Sequence, residues 1–177
     1  MYISTEQGFE LDKIIKSNEV ALRSFVADVL FNSYDNKDKL KTALESILIS
    51  DNVIYSKRFQ AKIRNYSGKL DVLFQHIQIC KASLDSSSFN NDVPYVSDLI
   101  DLMLIFFNSH FSDKNIARNF SSLEEFHYCC ALYHRARNNL SHPASRPVSI
   151  VDANKIVYFI ENVLSELPEK YFWYRKK

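Results

Sequence analysis

Ser121–Leu140 reads SSLEEFHYCCALYHRARNNL. Two S-x-x-E pairs open it, Ser121 with Glu124 and Ser122 with Glu125. Such pairs satisfy the orphan amides at a helix start. Phe126, Cys129, Tyr133, Ala136 and Leu140 then recur at steps of three and four, the stripe of a helix with one buried face. Pro143 and Pro147 end the run, and SIVDANKIVYFIENVL from Ser149 predicts a last helix that stops before Pro168.

The same pattern extends toward the N-terminus. Thr5 to about Phe31 is helical in period, followed by the loop NSYDN. Lys39–Ile49 is a second amphipathic run, closed by Ser50-Asp51-Asn52. Val53–Ala82 predicts one long helix or two, with Gly68 as the kink. SLDSSSFNN, residues 83–91, predicts a flexible loop. Pro94 suits the first turn of a helix running to about Phe111, apolar almost all round and therefore central. The expected fold is all-α, a compact bundle of five to seven helices forming a single domain over residues 1–177.

Composition agrees. The 177 residues include two glycines and four prolines, too few for the turns of a sandwich or barrel. Gly8 and Gly68 cannot form a glycine-rich phosphate loop, which excludes P-loop and Rossmann readings. Three cysteines, two of them adjacent at Cys129 and Cys130, suggest neither a disulfide framework nor a zinc knuckle. Early acids at Glu6, Glu10 and Asp12 are unlike a signal peptide, and the apolar run Leu99–Phe107 is interrupted by Asp101. The expectation is a reduced, cytoplasmic protein without a membrane partner. A net charge of +1 makes any charge argument local.

The local argument centres on HRARNNLSHPASRP, His134–Pro147. Arg137 falls in the last helical turn and His142 just beyond the helix end, held by Pro143. An arginine grips a phosphate bidentately and stabilises charge developing on it. A histidine moves protons near neutrality. Together they suit phosphodiester cleavage in RNA, by attack of the 2′-OH on the adjacent phosphorus, which needs no metal and no cofactor. Asn138 follows Arg137 directly, and Phe126–Val151 contains no Asp or Glu, so a phosphate is expected to meet an uncontested positive field. The plainer role for Arg137 is an ion pair or a cap on the helix C-terminus.

RNNLSH, Arg137–His142, resembles the R-x(4–6)-H motif of HEPN domains, including the polar residue after the Arg. The setting is similar too: a small all-α chain, the motif late, one further helix behind it. The resemblance implies a metal-independent endoribonuclease that leaves a 2′,3′-cyclic phosphate and a 5′-OH. It also implies a homodimer whose two motifs form one composite site, in a toxin or antiviral-defence setting. His142 would transfer the proton, Arg137 would hold the phosphate, and Asn138 would orient the pair or bond the substrate. His134, Ser141 and Arg135 are accessory candidates. An antitoxin or regulatory protein is an implied partner. HEPN toxins paired with nucleotidyltransferases carry a Tyr two residues after the His; Ala144 stands there, leaving no hydroxyl to modify. Other HEPN proteins are nuclease-dead scaffolds, which gives the alternative of a non-catalytic module binding a nucleotide, RNA or protein.

Two further stretches bear on RNA. Asn52–Leu70 carries Lys57, Arg58, Lys62, Arg64 and Lys69, no acids, and interleaved Tyr55, Phe59 and Tyr66. Cations among aromatics track a backbone and stack bases, although a solvated basic helix face has the same composition. Arg146 adds a cation beside the motif. The tail YFWYRKK allows the same reading or, alternatively, aromatics packed on the core or a subunit interface. His127, Cys130 and His134 share a helical face but lack a fourth ligand, so no metal site is assigned.

Overall fold

A computed structural model describes residues 1–49, 57–89, 96–140 and 147–176. The chain is all-α. Its helices are α1 (Thr5–Ser33), α2 (Lys37–Ile49), α3 (Lys57–Gly68), α4 (Leu70–Ser86), α5 (Val96–Ile105), α6 (Leu123–Leu140) and α7 (Ile150–Asn162). Among the described residues the only β pairing is an isolated bridge between Tyr2 and Ser149.

The starts of four helices follow from side-chain chemistry. Ser4 Oγ accepts from Gln7 N–H while Gln7 Oε1 accepts from Ser4 N–H, a reciprocal box that begins α1. Asn36 Oδ1 takes the Lys39 N–H at α2. At α6, Ser122 Oγ accepts from Glu125 N–H, but the Glu125 carboxylate turns back to the N–H and hydroxyl of Ser121, at 2.8 and 2.6 Å. Those bonds hold its carboxyl below the usual range. Ser149 Oγ caps α7 through Asp152 N–H.

Two expected boundaries move. The loop expected from residue 83 starts later, because Ser83 and Ser86 bond back to Ile79 O and Ala82 O and remain in α4. The helix ends where Ser87 adopts a left-handed conformation, φ 50°. Residues 90 and 91 of that stretch lie outside the described residues. The helix expected to reach Phe111 is α-helical only to Ile105 and widens into a π turn over Phe107–Phe111. There His110 Nε2 meets Tyr34 Oη at 2.5 Å.

The chain packs as two compact units divided inside α1, between Arg23 and Ser24. The terminal unit comprises Met1–Arg23 and Phe111–Lys177. Its core includes Ile15, Leu22, Phe126, Cys130, Tyr133, Ile156 and Phe159. The Tyr133 and Phe159 rings stack at 3.9 Å and fix α6 on α7. Tyr171, Phe172 and Trp173 of the tail are buried with this core, and the Arg175 guanidinium lies 4.0 Å over the Phe172 ring. The first residues of the chain bond to the start of α7, Ile3 N–H to Val148 O and Ile150 N–H to Met1 O.

The internal unit is Ser24–His110. Leu99, Ile100 and Leu102–Phe107 are buried in it, as an almost wholly apolar run requires. Lys69 separates α3, which ends at Gly68, from α4, so the Val53–Ala82 stretch holds two helices as far as it is described.

Candidate functional site

α6 carries Arg137 in its last turn. The side chain turns into the terminal unit, 17% exposed, and meets Glu19 of α1. Arg137 Nε donates to Glu19 Oε1 at 2.9 Å and Nη2 to Oε2 at 3.4 Å. Tyr133, one turn earlier, donates its hydroxyl to the same Oε1 at 2.7 Å. Arg23 Nη2 stands 3.7 Å from Glu19 Oε2. Glu19 is 1% exposed, so a carboxylate in the core is held by two guanidinium groups and a phenol. A buried charge persists only when it is paired and hydrogen-bonded, and this one is.

The expected uncontested positive field is therefore corrected. The acid-free window Phe126–Val151 is accurate as sequence, but Glu19 reaches Arg137 across 118 residues. Burial works against the guanidinium charge, and the bonds and charge of Glu19 outweigh it, raising the Arg137 pKa. Tyr133 is pushed far above the ordinary phenol range by burial and then by Glu19, so it serves as a donor. Among the described residues the Arg137–Glu19 contacts use Nε and Nη2 and leave Nη1 outside the pair.

The neighbouring motif residues point elsewhere. Asn138 is exposed and its Nδ2 lies 3.2 Å from His134 Nε2, one turn earlier. Arg135 is exposed. Asn139 Nδ2 donates to Asp152 Oδ2 at 3.0 Å and so ties the end of α6 to the first turn of α7. Ser141, His142 and Arg146 lie outside the described residues, so the structure brings together His134 with Asn138 and Arg137 with Glu19.

In the basic stretch, Lys57 and Arg58 begin α3. Lys62 is engaged, its Nζ 2.6 Å from Asp101 Oδ1. Tyr66 is buried and its hydroxyl bridges Asp98 and Asp101, which withdraws its ring from base stacking. Arg64 and Lys69 are exposed and carry no ion pair among the described residues. Tyr55 lies outside the described residues.

Cys130 is fully buried, and burial lowers the pKa of His127. Among the described residues no group of three His, Cys, Asp or Glu is placed to hold a metal ion. None of their helices is long and apolar enough to cross a membrane.

Glu19, Arg23 and Tyr133 complete the site and were not among the residues expected from sequence. The signal for the first two was a charged i, i+4 pair set in the apolar run Val20–Leu22 and Phe25–Ala27. Compared with protein-family models, with curated proteins and with solved structures, the chain matches none.

Proposed function

We propose that this chain is a metal-independent RNA endonuclease of the HEPN type. One observation supports it above the motif itself. The Arg137 guanidinium is clamped through Nε and Nη2 by a buried carboxylate, five residues before His142, with its Nη1 outside the clamp. A guanidinium fixed in advance loses little freedom on meeting a phosphate and stabilises charge without reorganising. In this reading Arg137 holds the scissile phosphate, Glu19 positions Arg137, and His142 takes or returns the proton. The 2′-oxygen attacks the phosphorus, the 5′-oxygen leaves with a proton, and the products are a 2′,3′-cyclic phosphate and a 5′-OH. The enzyme acts as a homodimer whose twofold axis supplies two Arg–His pairs to one site. Arg64 and Lys69 meet the RNA backbone. Its setting is toxin or antiviral defence in the cytoplasm, with a protein partner restraining it.

The test is cleavage of RNA by purified protein in excess EDTA, with product ends mapped, beside His142→Ala and Arg137→Ala. Wild type is expected to cut and leave cyclic-phosphate ends. Each variant is expected to lose at least a hundredfold in rate. Equal cutting by His142→Ala sinks the assignment.

A non-catalytic RNA- or protein-binding module is the second reading. The Glu19 charge on Arg137 favours it, since a guanidinium already balanced by a carboxylate stabilises less of the charge that develops in a transition state. That reading predicts RNA retention without cutting, equal in wild type and His142→Ala.

A further inference from the structure

A cavity of about 450 Å³ opens between α6 and α7 in the terminal unit, within the size range of small-molecule sites. Glu125, Tyr128 and Leu132 face it from α6, and Val151, Asn154, Lys155 and Tyr158 from α7. Each set follows i, i+3, i+7 spacing, so each is one helical stripe, about 10 Å long. Tyr133 and Arg137 belong to a different stripe of α6, turned to Glu19. Phe120 closes one end, its ring edge-on to Tyr158 at 6.4 Å and 76°.

The lining is mostly apolar, yet it is open to water. Tyr128 is 65% exposed, Val151 61% and Tyr158 48%. Apolar surface gathered in a concavity marks a binding site more often than an idle surface does. Three aromatic rings on the walls suit a flat aromatic partner, which stacks or meets them edge to face.

The polar groups are distributed unequally. Glu125 is occupied by the N–H and hydroxyl of Ser121, which fix its negative charge on the α6 wall. Lys155 and Asn154 stand on the α7 wall, the Lys155 ammonium only loosely paired with Asp152 at 3.7 Å. Cys129 is neutral, because burial and then Glu125 push its thiol up to about 11. An anionic group on the ligand is thus repelled from α6 and drawn to α7.

We infer that this cavity binds a small aromatic acid, one or two fused rings seated among Phe120, Tyr128 and Tyr158 with a carboxylate against Lys155 and Asn154. The inference is independent of RNA cleavage and stands or falls without it.

The test is protein-observed NMR of the full chain titrated with 2-naphthoate, with its neutral counterpart 2-naphthamide, and with decanoate. Naphthoate is expected to give saturable shifts confined to Phe120 and to residues 125–132 and 151–158. Naphthamide and decanoate are expected to bind at least tenfold more weakly. Lys155→Met should bring naphthoate down to the level of naphthamide while leaving naphthamide unchanged. Val151→Trp, at an exposed position, should abolish the shifts in a protein that melts as wild type does. Scattered or non-saturating shifts, decanoate binding as tightly as naphthoate, or an unaltered naphthoate affinity in Lys155→Met would each overturn it.

Discussion

Glu19→Gln would leave the Arg137 guanidinium and the Arg23 side chain facing an uncharged amide inside the terminal unit. Removing one partner of a buried pair costs about 3 kcal/mol or more. For a chain of this size that lowers the melting temperature by about 6–12 °C, measurable by thermal denaturation. If Glu19 positions Arg137, RNA cleavage by the same variant also falls under conditions where the protein remains folded. A cleavage rate unchanged there assigns Glu19 to stability alone. His127 offers a pH prediction. Burial lowers its folded pKa below the ordinary 6.5, so between the two values the unfolded chain binds more protons. The stability it contributes is complete above about pH 6.5 and is lost as pH falls through the folded pKa. His127→Phe should flatten the decline in melting temperature on acidification from pH 6.5 to 5; an identical slope in the variant would refute this. At this scale the sequence singled out Arg137 by its local place at a helix end, and the ion pair open to it as the plainer role is the one it makes. It could not identify Glu19 as the partner, because a contact across 118 residues belongs to tertiary packing. A charged pair inside an apolar helical run was the only local sign.

Helices were the most legible level, since period and caps are written within a few residues of one another. Ser122 and Ser149 cap α6 and α7 as their positions suggest. Ser4 and Gln7 form a box as regular, at a start that apolar spacing alone had placed near Thr5. Serine composition misled at residues 83–86, where hydroxyls bonded back to carbonyls four residues earlier let serine remain helical. Ser149→Ala should cost about 1 kcal/mol, from the lost bond to Asp152 N–H. Amide exchange in the first turn of α7 should accelerate, and unchanged protection there would show that the Met1 and Ile3 backbone bonds suffice to hold it. Lys62 and Tyr66 show the opposite limit. The basic character of α3 was plain, but Asp98 and Asp101, which engage two of its residues, come from α5, more than thirty positions away.

At the scale of the molecule, a net charge of +1 gives no general attraction to nucleic acid, so under the proposed function RNA affinity would depend on a few exposed cations. Each single-strand phosphate contact contributes about 0.7 to the slope of log affinity against log salt. Arg64→Ala with Lys69→Ala should therefore reduce that slope by about 1.4, read from filter binding across a salt series. An unchanged slope would exclude this face. The division into two units was not legible, because it falls inside α1, with no glycine, proline or change of composition at Arg23–Ser24. That division bears on how the protein is made. Residues 1–23 leave the ribosome before the internal unit, yet the rest of their unit begins at Phe111. Roughly 90 residues must be translated in between, about 5–18 s at ordinary speeds. The internal unit is contiguous and can complete itself during that interval. The Glu19 carboxylate must wait, with only Arg23 near it in sequence, until Tyr133 and Arg137 emerge, so the site is assembled only after the whole internal unit has been made.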